Sequence, residues 1–183
     1  EKGHRHFSPL YGLYPSNRIH YYNTDKDIVD GCKKLLQYRL ENGSGQTGWS
    51  AAWAACLAAR LHDGKTAYDC LKKLWNKSTH KNLFDKHPPT YFQIDGNFGG
   101  AAAIHEMLVQ NYDGITELLP ALPKEWANGK VAGLILKNGA EISFEWENGE
   151  VTAVKSDKPI LILNKHLSQS VMLDDSVIIA NEF

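Results

Sequence analysis

The segment Phe92-Gln93-Ile94-Asp95-Gly96-Asn97-Phe98-Gly99-Gly100 puts a carboxylate on a glycine-flanked turn ahead of an apolar, helix-like run. Glycine lets a ligand approach the backbone closely, so Asp95 is the first candidate for general acid or base work. A competing role is helix capping, which Asp95 or Asn97 can fill. Asn97 precedes the helical run by one residue and can cap it, leaving Asp95 free. A second candidate is His4-Arg5-His6 with Phe7, Tyr11 and Tyr14 just beyond. Imidazole and guanidinium groups bind hydroxyls or anions, and rings stack on the apolar face of a sugar. The alternative is a solvated terminal segment; a zinc site is weakly supported, since His-x-His has no third ligand at metal spacing. A third string, Gly45-Gln46-Thr47-Gly48-Trp49-Ser50, opens a helix but lacks the Gly-Lys-Ser/Thr ending of a phosphate loop. Ser8 and Ser50 lack the Gly-x-Ser-x-Gly context of a serine hydrolase. His105 and Glu106 are adjacent in a helical run and cannot share a face as zinc ligands do.

The elements that must position these residues change period along the chain. Residues 25–42 place Ile28, Cys32, Leu35, Leu36 and Leu40 near helical spacing, with Thr24 or Asp25 as cap and Gly43 at the C′ position. Residues 47–61 are alanine-rich and apolar nearly all round, which predicts a helix buried on more than one side. Residues 65–75 and 98–112 predict two more helices. Long irregular loops, 3–23 and 78–96, carry most of the histidines and prolines, and loops of that length usually serve function. After about residue 120 the signal becomes two-residue alternation. Residues 140–146 predict a half-buried strand between the Asn138-Gly139 and Asn148-Gly149 turns. Further short strands are expected at 151–154, 159–163, 170–173 and 176–180.

Composition narrows the classes. The chain has 183 residues, with 20 Lys+Arg against 21 Asp+Glu. That balance gives no nucleic-acid footprint and no polybasic membrane patch. No apolar run reaches a membrane-spanning length of about 18 residues, so no membrane insertion is expected. Residues 1–6 have no signal-peptide core and there is no initiator Met, so the chain reads as a piece of a longer polypeptide. Cys32, Cys56 and Cys70 are odd in number and lie in helical runs, which predicts free buried thiols and leaves the compartment open. No metal or cofactor is expected.

Several strings occur in order: His4-Arg5-His6-x-Ser8, Leu10-x-Gly12-Leu13-Tyr14-Pro15, Thr47-Gly48-Trp49-Ser50-x-Ala52-Trp53, Ala59-Arg60-Leu61-x-Asp63-Gly64, Asn82-Leu83, His87-Pro88-Pro89, Gln93-Ile94-Asp95-Gly96-Asn97-Phe98-Gly99 and Leu118-Leu119-Pro120-Ala121-Leu122-Pro123. From about His4 to Val154 the chain resembles the C-terminal part of glycoside hydrolase family 95, the inverting 1,2-α-L-fucosidases. The resemblance implies an α+β chain: an incomplete (α/α)6 barrel, its closing helices in residues 1–125, then a small antiparallel β domain in residues 126–183. It implies Asp95 as the water-activating residue and Arg5 and His6 in the sugar pocket. Asn97 and Trp49 complete the candidate substrate-binding set. The general acid, a Glu, and two assisting asparagines are expected upstream of Glu1, which makes the missing upstream part a partner. A fucosylated oligosaccharide or glycan is the implied substrate, and a secreted or periplasmic location follows from the resemblance. A noncatalytic carbohydrate-binding or structural remnant is the alternative. Two departures stand out: Pro9 replaces the usual His of that string, and Thr90-Tyr91 reads as an insertion beside Asp95. L-galactosides, differing by one hydroxyl, are related substrates.

Overall fold

The computed structural model describes residues 1–181. Four helices come first: α1 (Lys26–Glu41), α2 (Gly48–Arg60), α3 (Gly64–Lys77) and α4 (Asp95–Leu108). Asp25 caps α1 by accepting the Asp27 N–H at 2.8 Å, and Gly43 leaves it at a φ of 100°, as the sequence predicts. Asp63 caps α3 through the Thr66 N–H at 2.9 Å. α2 is the central helix, packed on α3 and α4 and more lightly on α1. Ala51, Ala52, Ala54, Ala55, Ala58 and Ala59 are all buried on it. Small side chains let the neighbouring backbones approach closely. A Cβ added to Gly99 of α4 would come within 2.8 Å of the Ala52 methyl. All three cysteines are free and buried.

The loop before α4 is more ordered than expected. It folds into a small antiparallel hairpin, β1 (Lys86–His87) with β2 (Tyr91–Phe92), and a bridge joins Thr79 to Asp85. Thr90 and Tyr91, the residues read as an insertion, sit in this hairpin.

α4 runs three residues earlier than the expected 98–112 and stops at Leu108. Residues 109–112 form strand β3 (Val109–Tyr112), which turns at Asp113-Gly114 into β4 (Ile115–Leu118). Then come β5 (Gly129–Ile135), β6 (Glu141–Glu147), β7 (Glu150–Ser156), β8 (Ile160–Leu163), β9 (Leu167–Leu173) and β10 (Val177–Ala180). They build two four-stranded sheets, ordered β10-β8-β4-β3 and β5-β6-β7-β9. The expectation of an antiparallel β domain needs correction, because the sheets are mixed. β4 pairs with β8, β8 with β10 and β7 with β9 in parallel. The cause is the connectivity. β9 crosses to the second sheet between β8 and β10, so β10 returns running the same way as β8.

Two hydrophobic cores result. One lies among the helices around Leu57, Leu71, Met107 and Phe7. The other lies between the sheets around Leu118, Ile142, Phe144 and Ile162. Ile104 and Trp126 pack against both. Among the described residues, no helix is long and apolar enough to cross a membrane.

Candidate functional site

The starts of α2 and α4 and the loop before α1 enclose an open cleft of about 470 Å³. Its walls include Tyr11, Tyr14, Trp49, Trp53, Gln93 and Asp95. That volume falls within the range of small-molecule sites. Asp95 is exposed on the first turn of α4. Trp49 stands on the first turn of α2, 6.3 Å from the Trp53 ring centroid. Trp53 donates its indole N–H to the Tyr14 carbonyl at 2.9 Å, fixing the loop to α2.

The loop is fixed a second time from beneath. The Arg60 guanidinium is buried, pairs through Nε and Nη2 with the Glu106 carboxylate, and donates from Nη1 to Asn17 Oδ1 at 2.9 Å. It lies 5.3 Å from the Tyr14 ring centroid. Arg60 therefore connects α2, α4 and the aromatic loop. Cys56, at the cleft floor, is no nucleophile: burial pushes its thiol up to about 12.

Arg5 and His6 stand beside the cleft, whereas Asp95 lines it. Their backbone is anchored: Ser50 Oγ donates to the Arg5 carbonyl at 2.5 Å and Arg39 Nη1 to the His6 carbonyl at 3.2 Å. Both side chains are exposed. His6 stacks on His4 at 4.8 Å and meets the Trp49 ring edge-on at 4.9 Å. Partial desolvation, then the charges of His4 and Arg5, hold the His6 imidazole below its ordinary value. His6 thus touches the cleft wall through Trp49, but neither His6 nor Arg5 is among the residues lining the cleft.

Asn97 is not a helix cap: the N-cap position of α4 is Ile94. Its amide braces the preceding loop instead. Oδ1 accepts the Asp85 N–H at 2.8 Å, and Nδ2 donates to the Leu83 carbonyl at 2.8 Å.

Asp85 was missed by sequence reasoning. It lies between the Asn82-Leu83 and His87-Pro88-Pro89 strings and is only 1% exposed. Its carboxylate is wedged between Gly48, first residue of α2, and Gly96 in the first turn of α4. A Cβ on either glycine would overlap it. Burial pushes its carboxyl above the ordinary range, against the Lys86 and Gly96 amides, which favour the anion. The legible signal was the pair of glycines, one at each helix start, facing a single acidic residue in the loop between.

Among the described residues, no group of three or more His, Cys, Asp or Glu is placed to hold a metal ion. An exposed carboxylate between tryptophan and tyrosine walls, on a helical scaffold, has the makings of a carbohydrate-processing site: rings for the sugar face, a charge for the bond. Comparison with known families gives the same class and a particular member of it. Residues 1–108 match the model described as the glycosyl hydrolase family 95 catalytic domain, and residues 110–163 the glycoside hydrolase family 95 C-terminal domain. The chain belongs to glycoside hydrolase family 95. The junction between the two matches falls where α4 gives way to β3.

It is 38% identical over 163 residues to "Alpha-L-fucosidase 2" of Arabidopsis thaliana, covering 82% of this chain and 19% of that protein. It is 36% identical over 174 residues to "Probable alpha-fucosidase A" of Aspergillus niger, covering 84% of this chain and 21% of that one. The chain spans about a fifth of the length of the curated relatives it matches.

Proposed function

We propose that this chain is part of an α-L-fucosidase-like glycoside hydrolase that releases terminal α-L-fucosyl residues with inversion. In this reading residues 1–125 supply closing helices of an (α/α)6 barrel and residues 126–183 the following β domain. Asp95 takes a proton from a water molecule as that water attacks the anomeric carbon. The bond from that carbon to the leaving oxygen breaks, and a general acid carried by the upstream part protonates the departing oxygen. Trp49 offers its face to the sugar, Arg5 and His6 reach its hydroxyls, and Asn97 acts through the loop it braces.

The observation that carries this reading is Asp95 in one cleft with Trp49, Trp53 and Tyr14. The names of the relatives supply the fucosyl specificity. Inversion requires the two carboxyl groups to stand roughly 6.5–9.5 Å apart, leaving room for water. Asp95 is exposed and lines the cleft, which gives water access to it.

The test is Asp95→Asn in the full-length polypeptide with a 2′-fucosylated oligosaccharide. Turnover should fall about 10²–10⁴-fold while sugar binding persists. Undiminished turnover would reduce Asp95 to a helix-terminal residue. The isolated 183-residue chain should show negligible hydrolysis, since this reading puts the acid in the upstream part; turnover by it would place the acid within these residues.

A further inference from the structure

We infer that Asp85 is a positioning residue for Asp95: a single buried carboxylate shared by the starts of α2 and α4 that sets the distance between Trp49 and Asp95. The inference rests on the proposed role of Asp95.

Three observations converge. First, neither helix supplies its own cap. Thr47 before α2 and Ile94 before α4 make no side-chain capping hydrogen bond. The first amides of a helix carry partial positive charge and favour a nearby anion. The carboxylate present at both starts is Asp85, from a different part of the chain.

Second, the space is built for it. Gly48 and Gly96 are the residues against which the carboxylate rests, and a methyl group on either would occupy its volume. Burying a carboxylate is costly, and Asp85 is pushed up by that burial. Among the described residues, no side chain pairs with either oxygen. The Lys86 and Gly96 amides favour its charge, and the starts of α2 and α4 close on it through Gly48 and Gly96.

Third, the backbone of Asp85 grips the segment that carries Asp95. Its N–H donates to Asn97 Oδ1 at 2.8 Å, and its carbonyl accepts the Gln93 N–H at 3.4 Å. With Gly96 against the carboxylate, three of the five residues from Gln93 to Asn97 contact Asp85. Asp95 lies in the middle of that span. Trp49 follows Gly48 directly, so one side chain fixes both walls of the cleft. Catalytic geometry is sensitive at this scale: a displacement of 1 Å costs up to about 10²-fold in rate.

The experiment compares Asp85→Asn, Asn97→Ala and Asp95→Asn in the full-length polypeptide, measuring kcat and KM on a 2′-fucosylated oligosaccharide together with thermal unfolding. Asp85→Asn keeps the shape and removes the charge. Its kcat should drop about 10-fold or more with KM within about twofold, in protein that remains folded at the assay temperature. Asn97→Ala releases the Asp85 N–H and should give a smaller kcat loss, again with KM held. Asn97→Ala also carries the test if Asp85→Asn does not fold. A wild-type kcat in Asp85→Asn, or a loss equal to its unfolded fraction, overturns the inference. So does a rise in KM with kcat unchanged in Asn97→Ala, which would make Asn97 a direct sugar contact. The two readings separate cleanly. Turnover in Asp95→Asn defeats the assignment of Asp95, whereas an inactive Asp95→Asn beside a fully active Asp85→Asn defeats only the role given to Asp85.

Discussion

Glu117 and Asp85 are both carboxylates sealed from solvent, and both are pushed above the ordinary carboxyl range by burial. Their surroundings differ completely. Glu117 lies on β4, where the helical and sheet portions meet. Tyr22 Oη donates to its Oε1 at 2.9 Å and Lys165 Nζ at 3.0 Å, while the His62 ring stands 3.3 Å from Oε2. Asp85 has no such side-chain company: the Lys86 and Gly96 amides favour its charge, and two helix starts pack around it. Discrete partners pin four segments to one point, which serves cohesion. Helix starts around one bare carboxylate orient whatever stands on the first turns, which serves a site. Burial alone therefore does not say what a charge is for; the identity of its compensation does.

The comparison is best attacked at Lys165. Lys165→Met leaves Glu117 buried without its cation and should cost about 3 kcal/mol in urea unfolding at pH 7. The loss should shrink in acid, as Glu117 with its raised carboxyl takes up a proton. A loss below about 0.5 kcal/mol would show that the pair is ornamental.

His62 gives the next effect. Burial, then Lys165, His166 and Lys33, hold its imidazole down to about 3. Between pH 6.5 and that value the unfolded chain binds a proton that the folded chain refuses, so stability falls as pH falls. For His62 this amounts to about 2 kcal/mol between pH 7 and pH 5. His166 is lowered in the same way, while Glu117 and Asp85 act with opposite sign. The measurement is therefore a difference: His62→Gln should lose about 2 kcal/mol less than the wild type over that interval. Equal losses would mean that His62 is protonated in the fold.

Tyr22→Phe removes one hydroxyl between Lys165 and Glu117 and should cost about 1 kcal/mol. Asp85→Asn should cost less, under about 1 kcal/mol, because a helix start loses only its favourable anion. That small loss of stability beside a large loss of turnover is the sharpest form of the contrast. The reverse pattern, marked unfolding with normal kcat in the folded fraction, would place Asp85 in the same category as Glu117.

The sequence made the helical portion legible and much of the sheet portion only locally so. Ile28, Cys32 and Leu36, or the alanines of α2, repeat at helical spacing, and that information is contained in a dozen neighbouring residues. Val109-Gln110-Asn111-Tyr112 continues the helical pattern of the preceding residues because four residues are too few to separate the two periods. The Asp113-Gly114 turn behind it was the overlooked sign of a hairpin. β5 escaped notice because its alternation breaks at Ala132-Gly133, where its pairing also shifts register between Val131 and Leu134. The parallel pairs could not be read at all. Ile115 and Leu161 are register partners, and nothing local to either residue specifies the other. In the site, Asp95 and Trp49 stood out by type and spacing and both line the cleft, whereas Asn97 braces the preceding loop rather than capping the helix. Asp85 did not stand out, since its meaning lies in glycines 37 and 11 residues away, which become neighbours only through folding.

The contact between Tyr22 and Lys165 joins residues separated by 143 positions. A ribosome adding about 5–20 residues per second needs on the order of ten seconds to travel between them. Through that interval Tyr22 and, once made, Glu117 must wait for the Lys165 ammonium. The helices can assemble meanwhile around α2, whose contacts are nearer in sequence. The seam that makes the two portions one body is therefore among the last parts of this chain to close, and a pause or truncation shortly before residue 165 would release helices that are folded but unclasped.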